Sequence, residues 1–154
     1  MSATSPLDGR ASIVVGVDGS RSSKQALVWA ARQSRLTGAK LRAVLAWWTP
    51  TSYGWASATP DSLLDYETEA RSTLEAAVKD ALGEPGSSVE LEVIAGHPAR
   101  VLTELSRDAS LVVVGSRGHG GFVGLLLGSV GEHLTTHAHC PVAVIRQPVD
   151  GAAA

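Results

Sequence analysis

The chain has 154 residues, 44% of them hydrophobic and 18% charged, which excludes a disordered polymer and suits one domain with a sizeable core. Its formal net charge of −2 supplies no electrostatic reason to expect nucleic acid or an anionic membrane as a partner. A single cysteine, Cys140, excludes an intramolecular disulfide, and neither a secretory apolar core nor a run of membrane-spanning length occurs, so a cytoplasmic protein is expected.

Residues 1–10 are polar and bear Pro and Gly, which predicts a flexible start. Ser12 to Val17 is a near-continuous apolar run, as in a strand covered on both faces. Asp18-Gly19-Ser20 interrupts it, and Ser22 to Thr37 follows with Ala26, Leu27, Ala30, Ala31 and Ser34 on one helical face, stopped by Gly38. Leu41 to Trp47 reads as a second strand, and Thr49 to Pro60 as a turn-rich connection. Asp61 to Leu82 predicts a long helix closed by Gly83 and Pro85.

Val89, Leu91 and Val93 alternate with Glu90 and Glu92, the pattern of a half-exposed strand near a sheet edge. Pro98 suits the first turn of a helix reaching about Arg107. Leu111–Val114, Ser129–Thr136 and Val142–Ile145 complete the series as strand, helix and strand, with a flexible tail expected over 148–154. Strict alternation of five strands and four helices predicts an α/β domain over 11–147, doubly wound, with a parallel sheet and helices on both faces; the expected strand order is 3-2-1-4-5.

The glycines carry the chemistry. Gly115-Ser116-Arg117-Gly118, nine further residues, and then Gly128-Ser129 follow the fourth strand, and the segment Gly115–Gly128 contains six glycines, both ends included. A strand, a glycine-rich loop and a helix N-terminus together form an anion cradle, because unpaired backbone N–H groups point outward there. In an open parallel sheet, ligands bind beyond the carboxyl ends of the strands where the winding reverses. With the expected order, Asp18 and Gly115 both end at that reversal.

These features resemble the universal stress protein family. The resemblance runs over about residues 11–147 and rests on Asp18-Gly19-Ser20 after strand one, on Gly115-x2-Gly118-x9-Gly128-Ser129, and on Cys140-Pro141-Val142-Ala143-Val144-Ile145. The glycine spacing is similar to the G-x2-G-x9-G-[S/T] signature of the family's ATP-binding branch. The resemblance implies that Asp18 and its neighbours Gly16, Val17 and Gly19 contact the adenosine part of ATP, with ADP and AMP as alternatives. It implies backbone contacts to adenine at Ala46. It assigns Gly115, Ser116, Arg117, Gly118, His119, Gly120 and Gly121 to the ribose and phosphates, and Gly128, Ser129, Val130 and Gly131 to the phosphates. It also implies a homodimer through Val142–Ile145, an apolar edge otherwise prone to stray pairing. Leu125 and Leu126 depart from the pattern, standing where many relatives place a basic residue.

Several of these residues have plainer uses. Ser129-x-x-Glu132 has the spacing of a capping box, and Asp18 has the chemistry of a helix cap, though a strand-end carboxylate also suits a ribose hydroxyl or nucleotide-bound Mg2+. His133 and His137 share a helix face, but no carboxylate or cysteine completes a metal set with them and His139. Cys140 suits packing. Trp47, Trp48 and Trp55 have two uses, stacking on a base or helix–sheet packing, the second being expected.

No lysine follows the glycines as in a P-loop, and G-x-G-x-x-G is absent. Phosphoryl transfer needs charge neutralisation and an oriented nucleophile, and none of Asp18, His119 and Glu132 has an evident activating partner. The expected function is a nucleotide-binding stress regulator with no catalysis or very slow hydrolysis, working through a protein partner whose identity is unknown. The alternatives are an Mg2+-dependent hydrolase using Asp18 and His119, and a dimeric interaction module with a relic loop.

Overall fold

The computed structural model describes residues 11–48, 60–83, 88–117 and 127–146. The expected flexible ends, most of the connection after strand two and Pro85 lie outside the described residues. Nine elements alternate in chain order: β1 (Ser12–Gly16), α1 (Arg21–Thr37), β2 (Lys40–Trp47), α2 (Pro60–Leu82), β3 (Val89–Ala95), α3 (Pro98–Leu105), β4 (Leu111–Gly115), α4 (Ser129–His137) and β5 (Val142–Ile145). The sheet is parallel throughout, as the alternation predicted, in the expected order β3-β2-β1-β4-β5.

Side-chain alternation assigns the two layers. Ile13, Val15, Leu41, Ala43, Leu45 and Val113 point to one side, where Leu27 of α1 and Leu74 of α2 are fully buried. Val14, Val44, Val112 and Val114 point to the other, against Val101 and Leu102 of α3 and Leu134 of α4. Both faces of β1 and β4 are thus covered, which is why those strands read as unbroken apolar runs. Each fully buried Leu or Val contributes roughly 1.5–3 kcal/mol relative to exposure.

β3 lies at one edge, and its alternating glutamates find a use there. Arg42 Nε and Nη2 donate to Glu92 at 2.7 and 2.9 Å, a bidentate pair that raises the arginine pKa further, against the opposing effect of burial. Gly38 and Gly83, both at φ 76°, close α1 and α2 by donating to Ser34 O and Lys79 O, which only glycine does without strain. α3 ends at Leu105, earlier than expected. Residues 106–108 form a turn instead, with Ser106 Oγ donating to Thr103 O and accepting from His139 N at 2.9 Å.

Candidate functional site

The winding reverses between β1 and β4, and their carboxyl ends are locked together by α1. Gly16 lies where a Cβ would meet Leu102 Cδ1 at 2.8 Å and Val114 Cγ1 at 3.3 Å, so its missing side chain lets α3 settle over β1. Val17 is buried and donates to Val44 O at 2.8 Å, extending the pairing with β2 beyond Gly16. Asp18 Oδ1 then accepts from Ser20 N at 2.8 Å across Gly19, whose φ is 83°.

This turn corrects the cap reading of Asp18. The left-handed Gly19 delays the helix, so Ser20 occupies the N-cap and its Oγ accepts from Ser23 N at 3.2 Å. Asp18 acts one step earlier, bracing the turn that presents the helix. Ser23 Oγ donates back to Ser20 O at 2.9 Å, so the first turn of α1 is closed by its own side chains.

Across the reversal, Gly115 sits against Ser22. A Cβ there would lie 2.7 Å from the Ser22 carbonyl carbon, so glycine is what allows α1 to touch the end of β4. The Ser22 side chain is 1% exposed, and its Oγ accepts from Arg117 N at 3.3 Å. Ser116 ties three elements: its N–H donates to Ile145 O at 2.9 Å, and its carbonyl accepts from Gly128 N at 2.7 Å. The chain therefore leaves after Arg117 and returns at Leu127 to a point one residue from its departure.

The return opens α4. Gly128, with φ −73° and ψ 167°, is the N-cap, and among the described residues no side chain caps this end. That corrects the capping-box reading. Ser129 is the first helical residue, so Glu132 falls one position too late to reach back to the cap. The N–H groups of Ser129, Val130 and Gly131 have no acceptor within the helix, and Ser129 is exposed. Gly131 makes room for Leu127, whose Cδ1 would stand 2.7 Å from an added Cβ.

At the crevice the N-terminus of α1 is capped by its own serines, and that of α4 has no side-chain cap among the described residues. Gly16, Val17, Asp18, Gly19, Gly115, Ser116, Arg117, Gly128, Ser129, Val130 and Gly131 all lie at this edge, and Ala46 is at the end of the adjacent β2. Gly118, His119, Gly120 and Gly121, with Leu125 and Leu126, lie outside the described residues. Sequence reasoning missed Ser22. Its signal was the serine pair Ser22-Ser23 in the first turn of α1, too hydrophilic for a core position unless the backbone needs its hydroxyl.

The aromatic residues divide. Trp47 stacks on Tyr66 of α2, with centroids 6.5 Å apart and planes 13° off parallel, the expected helix–sheet packing. Trp48 instead stands exposed beside His97, and Trp55 lies outside the described residues. A groove of about 740 Å3 between α1 and α2, lined by Gly19, Lys24, Thr73 and Asp80, lies on the sheet face away from α4, and Asp80 there accepts from Lys24 at 2.8 Å.

His133 and His137 pack ring on ring at 4.5 Å, but among the described residues no group of three or more His, Cys, Asp or Glu surrounds a common point. Cys140 is half-buried, and burial foremost raises its thiol pKa, partly offset by a hydrogen bond with the Val112 backbone. No helix among the described residues is long and apolar enough to cross a membrane.

The sequence profile described as the Universal stress protein family matches residues 10–146. The chain belongs to the universal stress protein family. A universal stress protein of Mycobacterium tuberculosis is 38% identical over 151 residues, covering 86% of this chain but 47% of the relative. The chain thus spans about half the length of the curated relatives it matches. A universal stress protein from Lactobacillus plantarum superposes with a TM-score of 0.72 at 22% identity, covering 89% of this chain and 98% of that one, which establishes the shared fold. A universal stress protein solved in complex with cAMP superposes with a TM-score of 0.57 at 27% identity, covering 88% of this chain and 96% of the other.

Proposed function

We propose that this universal stress protein binds an adenine nucleotide, ATP foremost with ADP or AMP as alternatives, as a stress-response regulator that hydrolyses it very slowly or not at all. The observation that carries the reading is the N-terminus of α4, which no side chain among the described residues caps, at the point where the sheet reverses. Its N–H groups at Ser129, Val130 and Gly131 suit phosphate oxygens, and the helix dipole adds typically ~0.3–1 kcal/mol. The cAMP complex of a relative at 27% identity supports the same ligand class.

Within this reading, Gly128 to Gly131 hold the phosphates, and Arg117, Gly118, Gly120 and Gly121 contribute to the ribose and phosphates. Asp18, oriented by Ser20 N, faces the ribose or a nucleotide-bound Mg2+. Ala46 offers its backbone to the base. A hydrolytic role needs His119 or Glu132 as an oriented base. Glu132 is exposed on α4, which favours binding over turnover.

The test begins by purifying the protein without added nucleotide, denaturing it and identifying any released small molecule. An ATP titration follows, on wild type and on Ser129→Ala. Because Ser129 is exposed and not the cap, its replacement should change stability by under about 0.5 kcal/mol. Loss of a hydrogen bond to a charged phosphate, about 1.5–3 kcal/mol, should weaken ATP binding by about tenfold or more. No adenine-nucleotide binding at millimolar concentrations sinks the proposal.

A homodimer through β5 belongs to the same reading. β5 is the free edge beyond β4, and Val142 to Ile145 are all part-exposed, so pairing with a second copy covers an apolar edge. Two copies also match the length of the M. tuberculosis relative. Sedimentation equilibrium should give twice the chain mass, and Val144→Lys should reduce it to one. A wild-type monomer at high concentration overturns the dimer.

A further inference from the structure

A second feature of the carboxyl edge stands apart from the anion cradle. Trp48, just past β2, is 54% exposed, although an indole left half in water forfeits much of its burial free energy. Its ring lies 5.8 Å from that of His97, tilted by 39°. His97 is the N-cap of α3, and its Nδ1 accepts from Ala99 N at 3.3 Å, so the imidazole is anchored by its backbone-facing nitrogen. Gly96, at φ 144°, donates to Trp47 O at 2.7 Å, binding the β3–α3 turn to the end of β2. The two rings are therefore held by two strands and a helix start.

The side of the sheet matters. Trp47 faces α2 through Tyr66, and Ala46 packs with the α3–α4 layer. Trp48 follows the parity of Ala46 and meets the start of α3. The open N-terminus of α4 belongs to the same layer. From the end of β4 to the β2–β3 gap is two to three strand spacings, roughly 10–14 Å. That is the scale separating a purine from the outer phosphates of a nucleotide.

We infer that Trp48, backed by His97, is a stacking platform for the base of the bound nucleotide and makes the site select an aromatic base over a bare phosphate. The inference rests on the nucleotide-binding reading and extends it to a residue outside the glycine motif. Backbone contacts at Ala46 read the edge of a base, whereas an indole face binds its π surface, so the two are complementary. Sequence position alone pointed to packing for this tryptophan, and its exposure is what removes that use.

The experiment measures ATP affinity by calorimetry and tryptophan emission during the same titration, for wild type, Trp48→Ala and Trp48→Phe. Base stacking on an aromatic side chain is lost on alanine substitution at a cost that corresponds to roughly 5- to 150-fold in affinity. Trp48→Ala should weaken ATP by about tenfold, and Trp48→Phe by less than about threefold, because phenylalanine retains a π face. ATP should quench wild-type emission, and most of that quenching should vanish in Trp48→Phe despite retained binding. Unchanged affinity in Trp48→Ala, or undiminished quenching in Trp48→Phe, overturns the platform while leaving nucleotide binding intact. Wild-type protein that binds no ATP overturns both readings together.

Discussion

Gly115→Ala should destabilise the protein by about 3 kcal/mol, at the upper end of overpacking in a close-packed interior. The added Cβ meets the Ser22 carbonyl carbon at 2.7 Å and the Ser22 Cβ at 2.8 Å. The first is backbone inside a helix and cannot rotate aside, so relief requires α1 to withdraw from the end of β4. That movement breaks the hydrogen bond from Arg117 N to Ser22 Oγ, leaving a serine that is 1% exposed without its acceptor role. The turn at Arg117 then loses its anchor, and nucleotide affinity should fall further than stability alone explains. Urea unfolding reads the first effect, and an ATP titration well below the unfolding midpoint reads the second. Gly38→Ala is the contrast. It meets open space and only a φ of 76°, so its cost is the roughly 1–2 kcal/mol of a left-handed residue, with ATP binding unchanged. Equal effects on ATP at both positions dispose of the contact with Ser22 as the cause.

Periodicity and punctuation made nearly all of the fold legible. Apolar runs in β1 and β4 announced two-sided burial, the Val/Glu alternation of β3 announced an edge, and Gly38, Gly83 and Pro98 marked ends that the backbone confirms. Legibility was lower at the site, for a physical reason. Capping depends on which residue adopts the extended conformation before the first turn, and one position of slippage reverses a serine's role. Gly19 shifted the cap of α1 from Asp18 to Ser20, and Gly128 took the cap of α4 from Ser129. Neither shift follows from residue type. Ser22 left only the faint signal of a serine pair in the first turn of α1, because its value lies in a contact with Gly115, far along the chain. Trp47 and Trp48 are one chemical type in succession, yet strand parity sends one into the α2 interface and the other to the rim.

Leu134→Ala should cost about 2–5 kcal/mol, the range for emptying a fully buried leucine site. Leu134 is 0% exposed and holds α4 against Val112 and Val114. In a domain whose whole stability is on the order of 5–15 kcal/mol, the variant remains folded in the cold but unfolds at much lower urea. The consequence for function depends on where α4 sits. Its first turn is the proposed cradle, and Gly128 N reaches Ser116 O at 2.7 Å. A helix that sinks into the cavity therefore drags its donors away from the sheet edge. Leu74→Ala provides the discriminating comparison. Leu74 is equally buried, but on the other side of the sheet, in α2, which packs over β2 and β3 rather than β4. It should lose a similar amount of stability while ATP affinity, measured on folded protein, stays within about twofold of wild type. For Leu134→Ala the loss in affinity should exceed about tenfold. If the two variants bind ATP equally well, the position of α4 does not govern the nucleotide, and the cradle loses its claim to the phosphates.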